Sequence, residues 1–129
     1  MAKAKKRTRA AGKLLMTFTL FGKAWEVRDV PKGHKMLGNG DLDTWGEVHF
    51  EDNRIYLADT NNATHEQRCT SLMHEINHII EEHYCIDLGK APVSDDGGED
   101  RTDKLGMGWL YVIRGCPEVI AFVTELRPS

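Results

Sequence analysis

The chain has 129 residues, 40% of them hydrophobic and 29% charged, with a formal net charge of −3. That length gives one domain with a modest core that needs no covalent staples, and no apolar run approaches the ~18 residues of a membrane span. The charge is uneven: Lys3, Lys5, Lys6, Arg7, Arg9 and Lys13 carry no acid among them, which leaves 11 basic against 20 acidic residues in 14–129.

Residues 1–13 therefore read as a disordered basic tail and 14–129 as a single folded domain. A basic tail is able to touch nucleic acid, but a short one more often only solubilises. The acidic body argues against a nucleic-acid-binding face on the domain itself. Three cysteines, Cys69, Cys85 and Cys116, make an odd count without a Cys-x-x-Cys pair, and the basic start lacks the apolar core and cleavage site of a secretory signal. A reducing, cytoplasmic setting follows as the expectation, with no membrane partner.

In chain order, Leu14–Leu20 is rich in β-favouring residues and predicts a strand, Gly22 a turn, and Ala24–Val30 the hairpin partner. Pro31 to Asp43 holds Pro31, Gly33, Gly38, Gly40 and Asp41 and predicts a loop, whose His34 is read as an ordinary exposed histidine. Trp45–Phe50 and Arg54–Ala58 flank Glu51-Asp52-Asn53 and predict a second hairpin. His49 alternates with Val48 and Phe50, so it faces the opposite side of the sheet from them.

Thr64-His65-Glu66-Gln67 fits a capping box that starts a helix running to Tyr84–Asp87, ended by Gly89 and Pro92. Cys69, Leu72, Met73, Ile76, Ile79 and Ile80 form its apolar stripe. Ser94–Gly98 reads as a turn cluster, Glu99 to Arg114 as a glycine-weakened second helix, and Glu118 to Leu126 as a short last helix with Pro117 at its first position.

The chemistry lies in His74-Glu75-Ile76-Asn77-His78, which reads His-Glu-x-x-His within the first predicted helix. Residues four apart share a helix face, so His74 and His78 can direct two imidazoles at one metal ion. Glu75, about 100° around the helix, stands beside that ion, where a general base takes a proton from metal-bound water. Two imidazoles with a carboxylate suit zinc, Zn2+. The bland alternative is a pair of solvated histidines on an amphipathic helix; their place off the apolar stripe, with Gln67 and Glu81, excludes a core role.

A hydrolytic zinc site takes three protein ligands and leaves one position for water. The histidine of the metzincin extension is missing, since position 84 holds Tyr84 and position 81 holds Glu81, and His83 points about 140° away from His78. A carboxylate of the next helix is the other solution. Glu99 is the expected third ligand, with Asp100 as its competitor, and Asp103, four residues on, is the expected acceptor for a ligand histidine's second N–H. The same run also reads simply as acidic residues at a helix N-terminus. Tyr84 and Tyr111 are candidates to donate to a developing oxyanion, with nothing in their spacing to select one.

His74-Glu75-x-x-His78 followed by Glu99-x-x-x-Asp103 is similar to the gluzincin pattern of zinc peptidases. Trp45-Gly46, Ile55-Tyr56-Leu57, Thr70–Met73 and Arg114–Glu118 add a resemblance to the small ImmA/IrrE-like metallopeptidases, their compact phage-type members above all, across roughly residues 15–126. Thr102-Asp103 departs from the small residues those members carry after the third ligand. The resemblance implies an α+β, minimal zincin-like fold: a small, mostly antiparallel sheet of two hairpins packed on the motif helix, then one or two further helices. It implies zinc-dependent hydrolysis of peptide bonds in a protein or peptide substrate. The competing expectation is a non-catalytic, zinc-stabilised interaction module whose basic tail binds nucleic acid or a protein partner; that module has no use for Glu75.

Overall fold

The two expected hairpins form. In a computed structural model, which describes residues 10–84 and 95–127 (backbone only for 95–100), β1 (Lys13–Leu20) pairs antiparallel with β2 (Lys23–Val30) and β3 (Gly46–His49) pairs antiparallel with β4 (Arg54–Ala58). Helices α1 (His65–Tyr84), α2 (Asp95–Gly115) and α3 (Pro117–Thr124) follow, so the fold is α+β. No helix among the described residues is long and apolar enough to cross a membrane. Cys85 lies outside the described residues, as do residues 1–9 of the basic tail. Lys13 opens β1, and the Arg28 guanidinium donates to the Ala11 carbonyl at 2.7 Å and the Gly12 carbonyl at 3.2 Å.

The hairpins join in a way that the expectation of two antiparallel pairs did not contain. The strand order is β1-β2-β4-β3, and β2 runs parallel to β4 from Glu26 opposite Arg54 to Val30 opposite Ala58. The sheet is therefore mixed, with β1 and β3 as its two edge strands, and β3 lies beside α1. The physical reason lies in Arg54-Ile55-Tyr56-Leu57-Ala58, all five buried. A strand covered on both faces belongs in the middle of a sheet.

Two cores result. Trp25, Val27, Ile55 and Leu57 face Leu72, Ile76, Ile79 and Ile80 of α1 together with Val112, Val119 and Phe122. On the other face Val30, Tyr56 and Ala58 are covered by Leu37 and Ala63. Leu37 comes from the predicted loop, yet it is completely buried. Met73 corrects the predicted stripe in the opposite sense: it sits at the stripe's edge, beyond what the sheet and α2 cover, and is 42% exposed.

The capping box is formed as expected. The Thr64 backbone N–H donates to Gln67 Oε1 at 2.9 Å and the Gln67 N–H to Thr64 Oγ1 at 3.2 Å, satisfying two N-terminal donors of α1. One turn in, the buried Arg68 ties α1 to the sheet, reaching Asp29 of β2 at 2.9 Å and the Ala58 carbonyl of β4 at 2.9 Å. Helix α2 starts at Asp95, not after the predicted Ser94–Gly98 turn. Asp95 and Asp96 suit a helix N-terminus electrostatically, and this offsets the glycines behind them. Gly108 lets α2 approach α1 closely, because a Cβ there would stand 2.4 Å from Ile80 Cγ2. Pro117 occupies the first turn of α3, and the Cys116 thiol donates to the Thr19 carbonyl at 3.3 Å.

Candidate metal centre

Helix α1 carries His74, Glu75 and His78 on the side that turns toward the free edge of β3. One ligand atom from each lies within 4.8 Å of the others, the one such group of three among the described residues. His74 Nε2 and His78 Nε2 are 3.1 Å apart, with rings crossing at 88°. Tetrahedral zinc with Zn–N bonds of about 2.0–2.1 Å separates two nitrogens by roughly 3.3 Å, so the pair fits this ion without rearrangement. The identity of the metal is not fixed by that spacing, since other borderline ions accept imidazoles too.

His78 has its second nitrogen occupied. Nδ1 lies 3.3 Å from Glu81 Oε2, one turn further along α1. A carboxylate there holds the tautomer with Nε2 free for a metal. Asp103 was the expected partner for this role, but it is exposed on α2 with no bond to either histidine among the described residues. The Glu81 spacing of three was legible in the sequence.

Glu75 is 6% exposed. Burial pushes its carboxyl pKa above the ordinary value, opposed by the nearby His78 and His74 and by a hydrogen bond from the Val48 backbone N–H. That bond places the carboxylate against the edge strand. Gly46 makes room for it: an added Cβ would lie 3.1 Å from Ser71 Cβ and 3.5 Å from Glu75 Cγ. The cleft in front, about 300 Å³, is lined by Thr44, Trp45, Gly46, Ser71, His74 and Glu75. Neither Gly46 nor Val48 carries a local sequence signal for this role, which depends on a pairing between distant segments.

The other candidates divide. Glu99 and Asp100 lie in the first turns of α2, and their side chains are outside the described residues. Gly108, where α2 touches Ile80, is nine residues past Glu99, about 13 Å along the helix. Asn77, between the two histidines, accepts a hydrogen bond from Trp109 Nε1 at 2.7 Å, which pins α2 beside the motif. Tyr84 and Tyr111 both pack edge-on against Phe21 at 5.9 Å. His83 stacks on Phe21 at 3.7 Å, away from the metal pair as its helical angle required. His49 faces away from α1, with Nε2 3.0 Å from the Met36 carbonyl and 3.1 Å from Glu47. His34 Nδ1 accepts the Met36 N–H at 3.1 Å.

No protein-family model, curated protein or solved structure matches the chain. The chemistry of the site accordingly rests on these residues and their geometry.

Proposed function

We propose that this chain is a zinc-dependent metallopeptidase that cuts extended segments of a protein substrate. The carrying observation is the triad of His74, Glu75 and His78, whose ligand atoms lie within 4.8 Å of one another beside an open cleft. His74 and His78 would hold the ion through Nε2, with Glu99 or its neighbour Asp100 at the start of α2 as the third ligand. A zinc ion bound there would supply Lewis acidity and a more acidic water.

Glu75 accepts the proton of the attacking water and passes it to the leaving amine. Burial raises the Glu75 carboxyl pKa above its ordinary value, the direction that suits a group that both takes and returns a proton. Glu81 keeps His78 oriented. The outer edge of β3 offers backbone groups to which an extended peptide adds as a further strand, so the substrate is a flexible linker more than a folded surface. The acidic run Asp95, Asp96, Glu99, Asp100 and Asp103 favours basic or neutral segments over acidic ones.

The test pairs metal content with turnover. Protein purified without chelator is expected to hold about one zinc per chain and to cleave an unstructured protein. Glu75→Gln keeps the zinc and loses cleavage by on the order of 100-fold or more. A zinc-binding interaction module has no need of Glu75, so unchanged partner binding together with an absence of any cleavage in the wild type would overturn the peptidase reading.

A further inference from the structure

Beyond the metal motif, where both hairpin turns gather under the end of α1, the surface closes into a second cavity of about 250 Å³. Leu20, Phe21, Trp25, Phe50 and Ile79 give it an apolar lining, and Lys23 together with Glu82 and His83 of α1 gives it a polar one. Sites that hold whole small molecules measure roughly 300–1,000 Å³; this one has the capacity of a single large side chain. The aromatic part of the lining is held in place: Phe21 lies flat on His83 at 3.7 Å and 3°, and Trp25 meets Phe50 edge-on at 5.9 Å.

The backbone under this wall is constrained. Phe21 at φ +52° and Gly22 at φ +77° make the two-residue turn from β1 to β2. A turn with both central residues at positive φ favours Asn-Gly, and a bulky residue at its first position is an outlier. The sequence places a phenylalanine there, and its ring lines the cavity.

The cavity lies on the same track as the cleft. Glu82 follows Glu75 by seven residues, so both leave α1 on one side, about 10 Å apart along the axis. Strand β3 runs alongside in the same direction. Gly46 lies against Ser71 and Glu75, the Val48 N–H bonds to Glu75, and Phe50 stands at the cavity. An extended peptide covers about 10 Å in roughly three residues.

We infer that this cavity receives one bulky aromatic or aliphatic side chain of the extended substrate, about three residues from the bond that is cut. The inference rests on the peptidase reading. A strand added antiparallel to β3 travels from Phe50 toward Gly46, so the residue that fills the cavity lies on the N-terminal side of that bond.

Zinc-loaded protein is incubated with a mixture of unstructured proteome-derived peptides, and the cut bonds are read by mass spectrometry. The expected result is a preference for Phe, Tyr, Trp, Leu or Met over Ala of on the order of 10-fold, at one position two to four residues N-terminal to the cut. Phe50→Ala flattens this preference and Phe50→Tyr keeps it. Cleavage with no such preference, or a preference that survives Phe50→Ala, overturns the inference while leaving the peptidase reading intact. A second arm needs no turnover: Glu75→Gln protein is titrated with an unstructured octapeptide carrying Phe and with its Ala twin, followed by tryptophan fluorescence. The Phe peptide is expected to bind about 10-fold more tightly, and equal affinities overturn the inference. Discrimination in binding without cleavage by the wild type overturns the peptidase reading and retains the cavity as a side-chain site.

Discussion

The backbone N–H of Val48 donates to the carboxylate of Glu75. Val48 stands on an edge strand of the sheet and Glu75 on the helix that carries both histidines, so a single hydrogen bond joins the edge to which we propose a peptide adds to the carboxylate we propose as the proton carrier. It also ties the charge of Glu75 to folding, because the bond favours the ionised form while burial opposes it.

The balance has a consequence for stability in metal-free protein. Burial, the largest cause, holds the Glu75 carboxyl above its ordinary value. A carboxyl whose folded pKa exceeds its unfolded value binds its proton more tightly in the folded chain. Its contribution to stability is full below the ordinary carboxylate range and is lost as pH rises through the folded pKa. Thermal unfolding in excess chelator, compared between wild type and Glu75→Gln, isolates this group. The wild type is expected to lose stability relative to the variant across that window. Parallel curves would show that Glu75 is not the buried titrating group.

Metal affinity gives a second prediction. With His78 Nδ1 at 3.3 Å from Glu81, Glu81→Gln removes the charge that orients the ring, and zinc affinity is expected to fall 10–100-fold. Asp103→Asn leaves affinity unchanged, since Asp103 makes no bond to either histidine among the described residues. Competition against a zinc-chelating dye measures both. Equal losses in the two variants would return the orienting role to Asp103.

Helix α1 and its cap were legible in the sequence because every signal there is local. Thr64 and Gln67 are three apart, His74 and His78 four apart, and Leu72, Ile76, Ile79 and Ile80 repeat at helical spacing. The hairpins were legible for the same reason, through alternation and turn residues. The parallel junction of β2 with β4 was not, because no local pattern says which strand of one hairpin meets which strand of the other. The buried Leu37 escaped notice inside a glycine-rich segment, where an isolated apolar residue carries no period. Glu81 was readable from its spacing, whereas the Val48 bond to Glu75 spans segments 27 residues apart and leaves no mark in either. The third ligand was placed by pattern alone, and the side chains of Glu99 and Asp100 lie outside the described residues.

The contact between α1 and α2 predicts a steric failure. Gly108→Ala adds a methyl group 2.4 Å from Ile80 Cγ2 and 2.8 Å from Ile80 Cγ1. Ile80 is completely buried and has nowhere to retreat. Overpacking of this kind costs about 1–3 kcal/mol, against a gain of up to ~1 kcal/mol in helix propensity. The net expectation is a destabilisation of about 1–2 kcal/mol in urea unfolding. Gly106→Ala is the control, since a Cβ there meets nothing within 4 Å, and it is expected to be neutral or stabilising. If both substitutions behave alike, the close approach at Gly108 is wrong.

The tether from Arg68 to Asp29 predicts the largest single loss. Arg68 is 2% exposed, and its guanidinium meets Asp29 at 2.9 Å and the Ala58 carbonyl at 2.9 Å. Asp29→Ala leaves that cation buried without its counter-charge, which costs about 3–5 kcal/mol. Arg68→Met removes the cation and fills most of its volume, so the double substitution of Arg68→Met with Asp29→Ala is expected to recover part of the loss. Urea unfolding of the two single variants and the double variant gives the coupling directly. Arg68 lies seven residues before Glu75 on the same side of α1, so the tether also fixes the height of the metal motif over β3. Asp29→Ala is therefore expected to weaken zinc binding under conditions where the chain is still folded, and a double variant that restores stability restores part of the affinity with it. Strictly additive losses would mean that Arg68 and Asp29 act independently, and the tether would then explain neither the stability nor the placement of the site.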